Sequence, residues 1–190
     1  MASYIKQFLH NPITTGSITE SSKELAQLIV KISNIKDAST IVEFGPGAGI
    51  FTREIIKNID ESKTFFAIEL NKDFIKKLRE KLPDAIVYHD SAVNIKKYLR
   101  MHDLENCDLI ISGLPWASFN TAEQKKIVNK AVQALSPNGE FLTFGYLHAT
   151  ILPSAQRFKM HLEKEFLSVK RSEIVWKNIP PAFIYHCKKE

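Results

Sequence analysis

Short apolar runs alternate with amphipathic helical patterns along most of the chain, and that alternation constrains the fold more than any other feature. Runs at Thr40–Phe44, Thr64–Glu69, 85–88, 108–112 and 140–146 have strand length. Between them, apolar positions recur at spacings of three and four over 49–58, Lys72–Lys81, 92–100 and 121–135, with Lys and Glu elsewhere. Ahead of the first strand, Ser21 and Ser22 can cap a helix over Lys23–Ile32. Strands alternating with helices predict a parallel sheet covered on both faces, a Rossmann-like α/β fold. The tail breaks the pattern. After a helix near 154–165 come strand-like stretches at 167–176 and 182–187, joined through Asn178-Ile179-Pro180-Pro181 with no helix between, which predicts an antiparallel hairpin.

The 190 residues suit one domain with a substantial core, and 44% hydrophobic with 25% charged residues excludes a disordered or collagenous chain. The net charge of +5 is uneven: residues 1–95 sum to zero, so the excess lies in 96–190, which suits an anionic surface. Cys107 and Cys187 read as buried thiols of a reducing compartment, without metal-ligand spacing. No secretory leader is visible at the N-terminus and no run of 18 apolar residues occurs, so the expectation is a cytoplasmic protein whose membrane contact is peripheral.

The strongest local signal is Glu43-Phe44-Gly45-Pro46-Gly47-Ala48-Gly49, after the first strand and opening a helix. Gly45, Gly47 and Gly49 allow a tight turn and let backbone approach a ligand at the positive end of the helix. Ile50 holds the place where a nicotinamide-binding loop wants its third glycine, and no Gly-Lys-Ser/Thr follows. The motif resembles motif I of S-adenosylmethionine-dependent methyltransferases, where the acid helps hold the methionine part. Glu69 ends the second strand, 24 residues after Gly45, where a carboxylate can accept both ribose hydroxyls. Asp90, with Ser91 and Ala92, follows the third strand, where methyltransferases bind the adenine amino group. The resemblance implies S-adenosylmethionine as cofactor. It also implies the class I methyltransferase architecture: a seven-stranded, mostly parallel sheet with a C-terminal antiparallel hairpin and helices on both faces.

After the fourth strand the chain reads Ser112-Gly113-Leu114-Pro115-Trp116. Amino-group methyltransferases carry Asn/Asp-Pro-Pro-aromatic here, and ribosomal RNA adenine dimethyltransferases Asn-Leu-Pro-Tyr. Methyl transfer from a sulfonium needs an unprotonated nitrogen aimed in line, held by hydrogen-bond acceptors and flanked by a ring. Gly113 removes the side-chain acceptor, while the Leu114-Pro115 turn and Trp116 remain. An alkyl amine tolerates that loss better than a weakly basic nucleobase amine.

Together with residues 8–22, the segments 42–52, 67–69, 112–116 and 178–185 resemble soluble bacterial phospholipid N-methyltransferases. The resemblance implies a single domain over 1–190 that methylates phosphatidylethanolamine up to three times at the membrane surface. Met1, Tyr4, Ile5, Phe8 and Leu9 fall on one helical face, so 1–10 reads as an interfacial helix on an anionic membrane, or as a lid within 1–22. A headgroup phosphate needs a basic or hydroxyl partner, for which Arg157, Lys159, Tyr146, His148 and Tyr185 are candidates. His148 can also accept the amine's proton, Tyr146 lies beside it at the end of the fifth strand, and Asn178 orients substrate or caps the hairpin. Three alternatives stay open: an RNA adenine dimethyltransferase, a small-molecule amine methyltransferase, and a silent S-adenosylmethionine-binding module. Nucleic acid is not expected as partner, since no strong basic stripe is evident.

Overall fold

Four of the six helices of the computed structural model, which describes residues 21–190, are begun by signals close to them in sequence. The Ser22 side chain accepts the Leu25 N–H to start α1 (Lys23–Ile32), which turns Leu25, Ala26, Ile29 and Val30 inward. Asn71 caps α3 (Lys72–Lys81), and Asn120 with Glu123 forms a capping box on α5 (Thr121–Ala134). The other helices are α2 (Ile50–Lys57), α4 (Ile95–Met101) and α6 (Pro153–Glu165), the last opened by a proline at its first position.

The strands are β1 (Thr40–Phe44), β2 (Thr64–Glu69), β3 (Val87–His89), β4 (Cys107–Ser112), β5 (Leu135–Tyr146), β6 (Ser168–Arg171) and β7 (Ala182–Lys188). They form one sheet in the order β3-β2-β1-β4-β5-β7-β6. The first five are parallel, and β7 runs antiparallel between β5 and β6. This is the Rossmann-like methyltransferase sheet expected from the sequence, antiparallel tail included.

Alternation along each strand divides the interior into two cores. Val42, Phe44, Ile110, Phe141 and Phe183 face one side, under α4, α5 and α6. Ile41, Leu109, Ile111, Leu142 and Ile184 face the other, under α1, α2 and α3. Cys107 and Cys187 are free and buried, and burial pushes both thiols well above their usual range.

Several boundaries differ from expectation. The third strand is Val87–His89 instead of 85–88. The helix expected over 92–100 opens as a 3-10 turn, Ala92–Asn94, because Ser91 caps Val93 and redirects the chain. The stretch 167–176 pairs only over Ser168–Arg171, with a lone bridge from Val175 to Ala182. The calls on residues 1–10, and nearly all of those on 8–22, lie outside the described residues. Among the described residues no helix is long and apolar enough to cross a membrane.

Candidate functional site

Strand order reverses between β1 and β4, and an open α/β sheet leaves a crevice beyond the carboxyl ends of its strands at such a point. A cavity of about 870 Å³ lies there, within the span of roughly 300–1,000 Å³ typical of small-molecule sites. It extends from the glycine loop after β1 to aromatic side chains carried by β5, α6 and β7.

Gly45, Gly47 and Gly49 have φ of +66°, +53° and +85°, left-handed values that strain any residue with a Cβ. Gly45 N–H donates to the Ile68 carbonyl (2.9 Å) and Gly47 N–H to Glu69 Oε2 (3.2 Å), so the loop is fastened to β2. Both glycines wall the cavity, and no atom lies within 4 Å of where a Gly47 Cβ would stand. Gly49, grouped with them in the sequence reading, is not on the cavity wall. A Cβ there would meet Leu78 Cδ1 at 2.5 Å, so this glycine lets α2 start close against α3.

The three acids differ in surroundings. Glu69 is buried on the cavity wall, and its Oε1 accepts the Leu70 and Asn71 N–H groups (both 2.8 Å). Burial raises its pKa, and those hydrogen bonds only partly offset the effect. Asp90 also reaches the cavity. Burial opposes its charge, but donors from Asn94, the Ser91 N–H, Tyr98 and Lys97 outweigh that and hold the carboxyl below its usual range. Ser91 and Ala92 line the same wall. Glu43 lies beneath the loop, fully buried and off the cavity wall. Its Oε2 accepts the Thr52 hydroxyl (2.7 Å), while Oε1 has no hydrogen-bond partner among the described residues. Burial, with the nearby Glu69 charge, pushes its pKa up to about 8.

The acceptor loop lies against the glycine loop. A Cβ on Gly113 would stand 2.5 Å from the Gly45 carbonyl oxygen, and Gly113 N–H donates to the Phe44 carbonyl (2.8 Å). The residue read as a lost side-chain acceptor is therefore also the one that permits this backbone contact. The Leu114, Pro115 and Trp116 carbonyls accept from Trp116 N–H, Ser118 N–H and the Gln124 side chain respectively. The Gly113 carbonyl has no such partner among the described residues. Trp116, 3% exposed, is fixed at every edge: Nε1 donates to Thr143 Oγ1 (2.7 Å) and its ring stacks on Phe158 at 4.4 Å.

Tyr146 and His148 stack at 5.7 Å on the cavity wall, with His148 exposed. Tyr185 is buried there between Phe158 and Phe183, its hydroxyl without a hydrogen bond among the described residues, and burial raises its pKa. Three sequence candidates fall elsewhere, and one of them, Lys159, pairs with Glu163 on α6 (3.3 Å) off the wall. Arg157 is exposed on α6, donating to Thr121 Oγ1 (3.0 Å), and is not a wall residue. Asn178 is buried as a clamp, accepting the Ser22 N–H (2.8 Å) and donating to the Pro180 carbonyl (2.6 Å). The hairpin-capping reading of Asn178 fits this geometry; direct substrate contact does not. Phe74, Phe144, Phe158 and Phe183 also wall the cavity and were not singled out, since ordinary core periodicity hides them.

The residues present fit S-adenosylmethionine. The clear space at Gly47, the buried acceptors of Glu69 and the ordered Asp90 carboxylate match a ligand bearing a diol and an amino-purine.

A family model described as ribosomal RNA adenine dimethylase matches residues 3–149. Ornithine lipid N-methyltransferase of Singulisphaera acidiphila is 26% identical over 189 residues, 97% of this chain and 94% of that protein. Ribosomal RNA small subunit methyltransferase A of Hydrogenobaculum sp. is 28% identical over 126 residues, 63% of this chain and 46% of that protein, so the chain spans about half of that relative's length. Among solved structures, N-methyltransferase NodS from Bradyrhizobium japonicum has a TM-score of 0.67 at 13% identity, covering 88% of this chain and 95% of that one. Fibrillarin from Aeropyrum pernix, solved with bound S-adenosylmethionine, has a TM-score of 0.63 at 16% identity, covering 86% and 74%. At these identities the structural likeness speaks for the fold alone.

Proposed function

We propose, for a chain that belongs to the ribosomal RNA adenine dimethylase family of S-adenosylmethionine-dependent methyltransferases, that the acceptor is the alkyl amine of a membrane lipid headgroup. The observation that carries this reading is one continuous cavity, with the acid-and-glycine loop at one end and aromatic side chains at the other. Three further points favour lipid over RNA. Similarity to the ornithine lipid enzyme runs nearly end to end, whereas the RNA-modifying relative is about twice as long as its matched part. The acceptor loop lacks the side-chain acceptor that a nucleobase amine benefits from most. The acceptor end is walled by Trp116, Phe158, Phe183 and Tyr185, a surface suited to a methylated ammonium.

S-adenosylmethionine, when bound, supplies a methyl group on a sulfonium for in-line displacement by a neutral amine. Glu69 and the Gly47 backbone would hold its ribose and Asp90 with Ser91 its adenine, while Glu43, off the wall, ties the end of β1 to Thr52 of α2. The Gly113 carbonyl accepts an amine N–H and so aims the lone pair. Trp116 cannot rotate away, because its indole N–H and stacked face are both engaged. His148, exposed at the mouth, takes the proton the ammonium must lose before it can react. With Arg157 off the wall, His148 and the Tyr146 and Tyr185 hydroxyls are the partners for the headgroup's anion.

Phosphatidylethanolamine, implied by the resemblance to phospholipid N-methyltransferases, and an aminoacyl lipid of the ornithine type both present an alkyl amine beside an anion. Incubation with labelled S-adenosylmethionine and, in parallel, vesicles of each lipid, soluble ethanolamine derivatives and unmodified ribosomal RNA separates the candidates. Label in lipid is the expected result, and label in RNA but not lipid would overturn the proposal.

A further inference from the structure

Exposed apolar side chains gather on two loops beside the acceptor end of the cavity. Ile151 is 78% exposed, Trp176 67% and Ile179 75%. Leu152, also exposed, follows Ile151 and lines the cavity itself. The two loops are joined: Leu147 N–H donates to the Pro181 carbonyl (2.8 Å), Tyr146 pairs with Ala182 across β5 and β7, and Val175 bridges to Ala182. Asn178 is the buried fastening of the second loop, between outward-facing Trp176 and Ile179. Apolar exposure on loops so tightly held is not fraying. It forgoes roughly 25 cal/mol for each Å² left in water, and such clusters mark interaction surfaces.

Charge on the loops is slight: residues 146–153 and 174–181 contain Lys177 and His148, and the 80% exposed Lys177 pairs with Glu24 of α1 at 3.9 Å. Ile151, Trp176 and Ile179 all lie beyond residue 149, where the match to the family model ends. We propose that this rim is a docking surface for an anionic lipid bilayer. Trp176, Ile179 and Ile151 insert at headgroup depth, Lys177 exchanges its exposed partner Glu24 for lipid phosphates, and the cavity opens toward the membrane. The choice of a bilayer as occupant rests on the lipid-amine reading and on the rim's continuity with the cavity, since exposed Leu152 belongs to both. A second copy of the chain fits less well, since a few side chains on two loops fall short of the 20–30 residues a side that stable protein interfaces use.

The chain carries its own probe, because its other tryptophan, Trp116, is buried. The test uses the full chain and vesicles of phosphatidylcholine with phosphatidylglycerol, which hold no methylatable amine. Tryptophan emission is expected to shift to the blue and acrylamide quenching to fall on vesicle addition, with both changes lost in Trp176→Phe. The triple variant Ile151→Ser, Trp176→Ser, Ile179→Ser should bind these vesicles about tenfold more weakly or worse. It should keep the parent's thermal midpoint and affinity for S-adenosylhomocysteine. Vesicle binding that leaves Trp176 fully quenchable would overturn the proposal, as would a blue shift without vesicles accompanied by a doubled mass. Since no acceptor amine is present, transfer of label to RNA in the methylation assay would sink the substrate reading and leave this measurement standing on its own.

Discussion

Glu43, Glu69 and Asp90 form one pattern in the sequence, an acid near the end of each of three consecutive strands, yet their surroundings separate them. Asp90 is ringed by donors and stays ionised. Glu69 shares its charge with three backbone N–H groups. Glu43 is fully buried and only Thr52 donates to it, so it carries the largest consequence for stability. Its pKa rises from an ordinary 4.5 to about 8. Between those values the folded protein holds a proton that the unfolded chain has lost, so stability falls as pH rises through that window. Below and above the window both states carry the same charge, and this contribution is flat. Glu43→Gln, with no proton to lose, should therefore gain stability relative to the parent as pH is raised from about 5 to about 8. Urea unfolding at the two pH values measures this; an unchanged difference would mean that Glu43 is ionised throughout.

Elements were legible where a local cause makes them. The capped helices α1, α3 and α5 and strands β1 and β2 follow from side chains within four residues of their ends. The 3-10 turn before α4 follows from one cap at Ser91 and the early end of β6 from how neighbouring segments pack, neither of which periodicity encodes. The acceptor loop is the clearest case. Sequence comparison marked Gly113 as a missing acceptor, but its approach to Gly45 involves two loops 68 positions apart in the chain. Gly113→Ala should separate them, at about 1–3 kcal/mol of stability. It should weaken both S-adenosylhomocysteine binding and methyl transfer, because the glycine loop moves with the acceptor loop. Calorimetry showing parental affinity in a folded variant would refute that coupling.

At the scale of the whole molecule, the cavity is completed by segments far apart in sequence. Phe158 on α6 supplies the face on which Trp116 stacks, and Phe183 and Tyr185 arrive on β7, inserted antiparallel beside β5. Phe158→Ala should cost roughly 3–5 kcal/mol and free the indole. Turnover should then drop while affinity for S-adenosylhomocysteine holds, since the Phe158 ring packs on Trp116 and Tyr185 at the acceptor end. A fall in affinity equal to the fall in turnover would show that the two ends of the cavity do not act separately.

The sequence by itself determined the alternating strands and helices, the glycine loop, the acids at the strand ends and the acceptor turn. Each depends on neighbouring residues and on a periodicity that backbone geometry imposes. Only the tertiary structure decided that Gly49 serves helix packing, that Arg157 stays off the wall and that Asn178 clamps a loop. It alone brought Trp116 under Phe158 and joined the loop of Ile151 to the loop of Ile179. Those outcomes depend on which distant segments the sheet order makes adjacent, and burial and hydrogen-bond satisfaction are properties of that adjacency, not of any window along the chain.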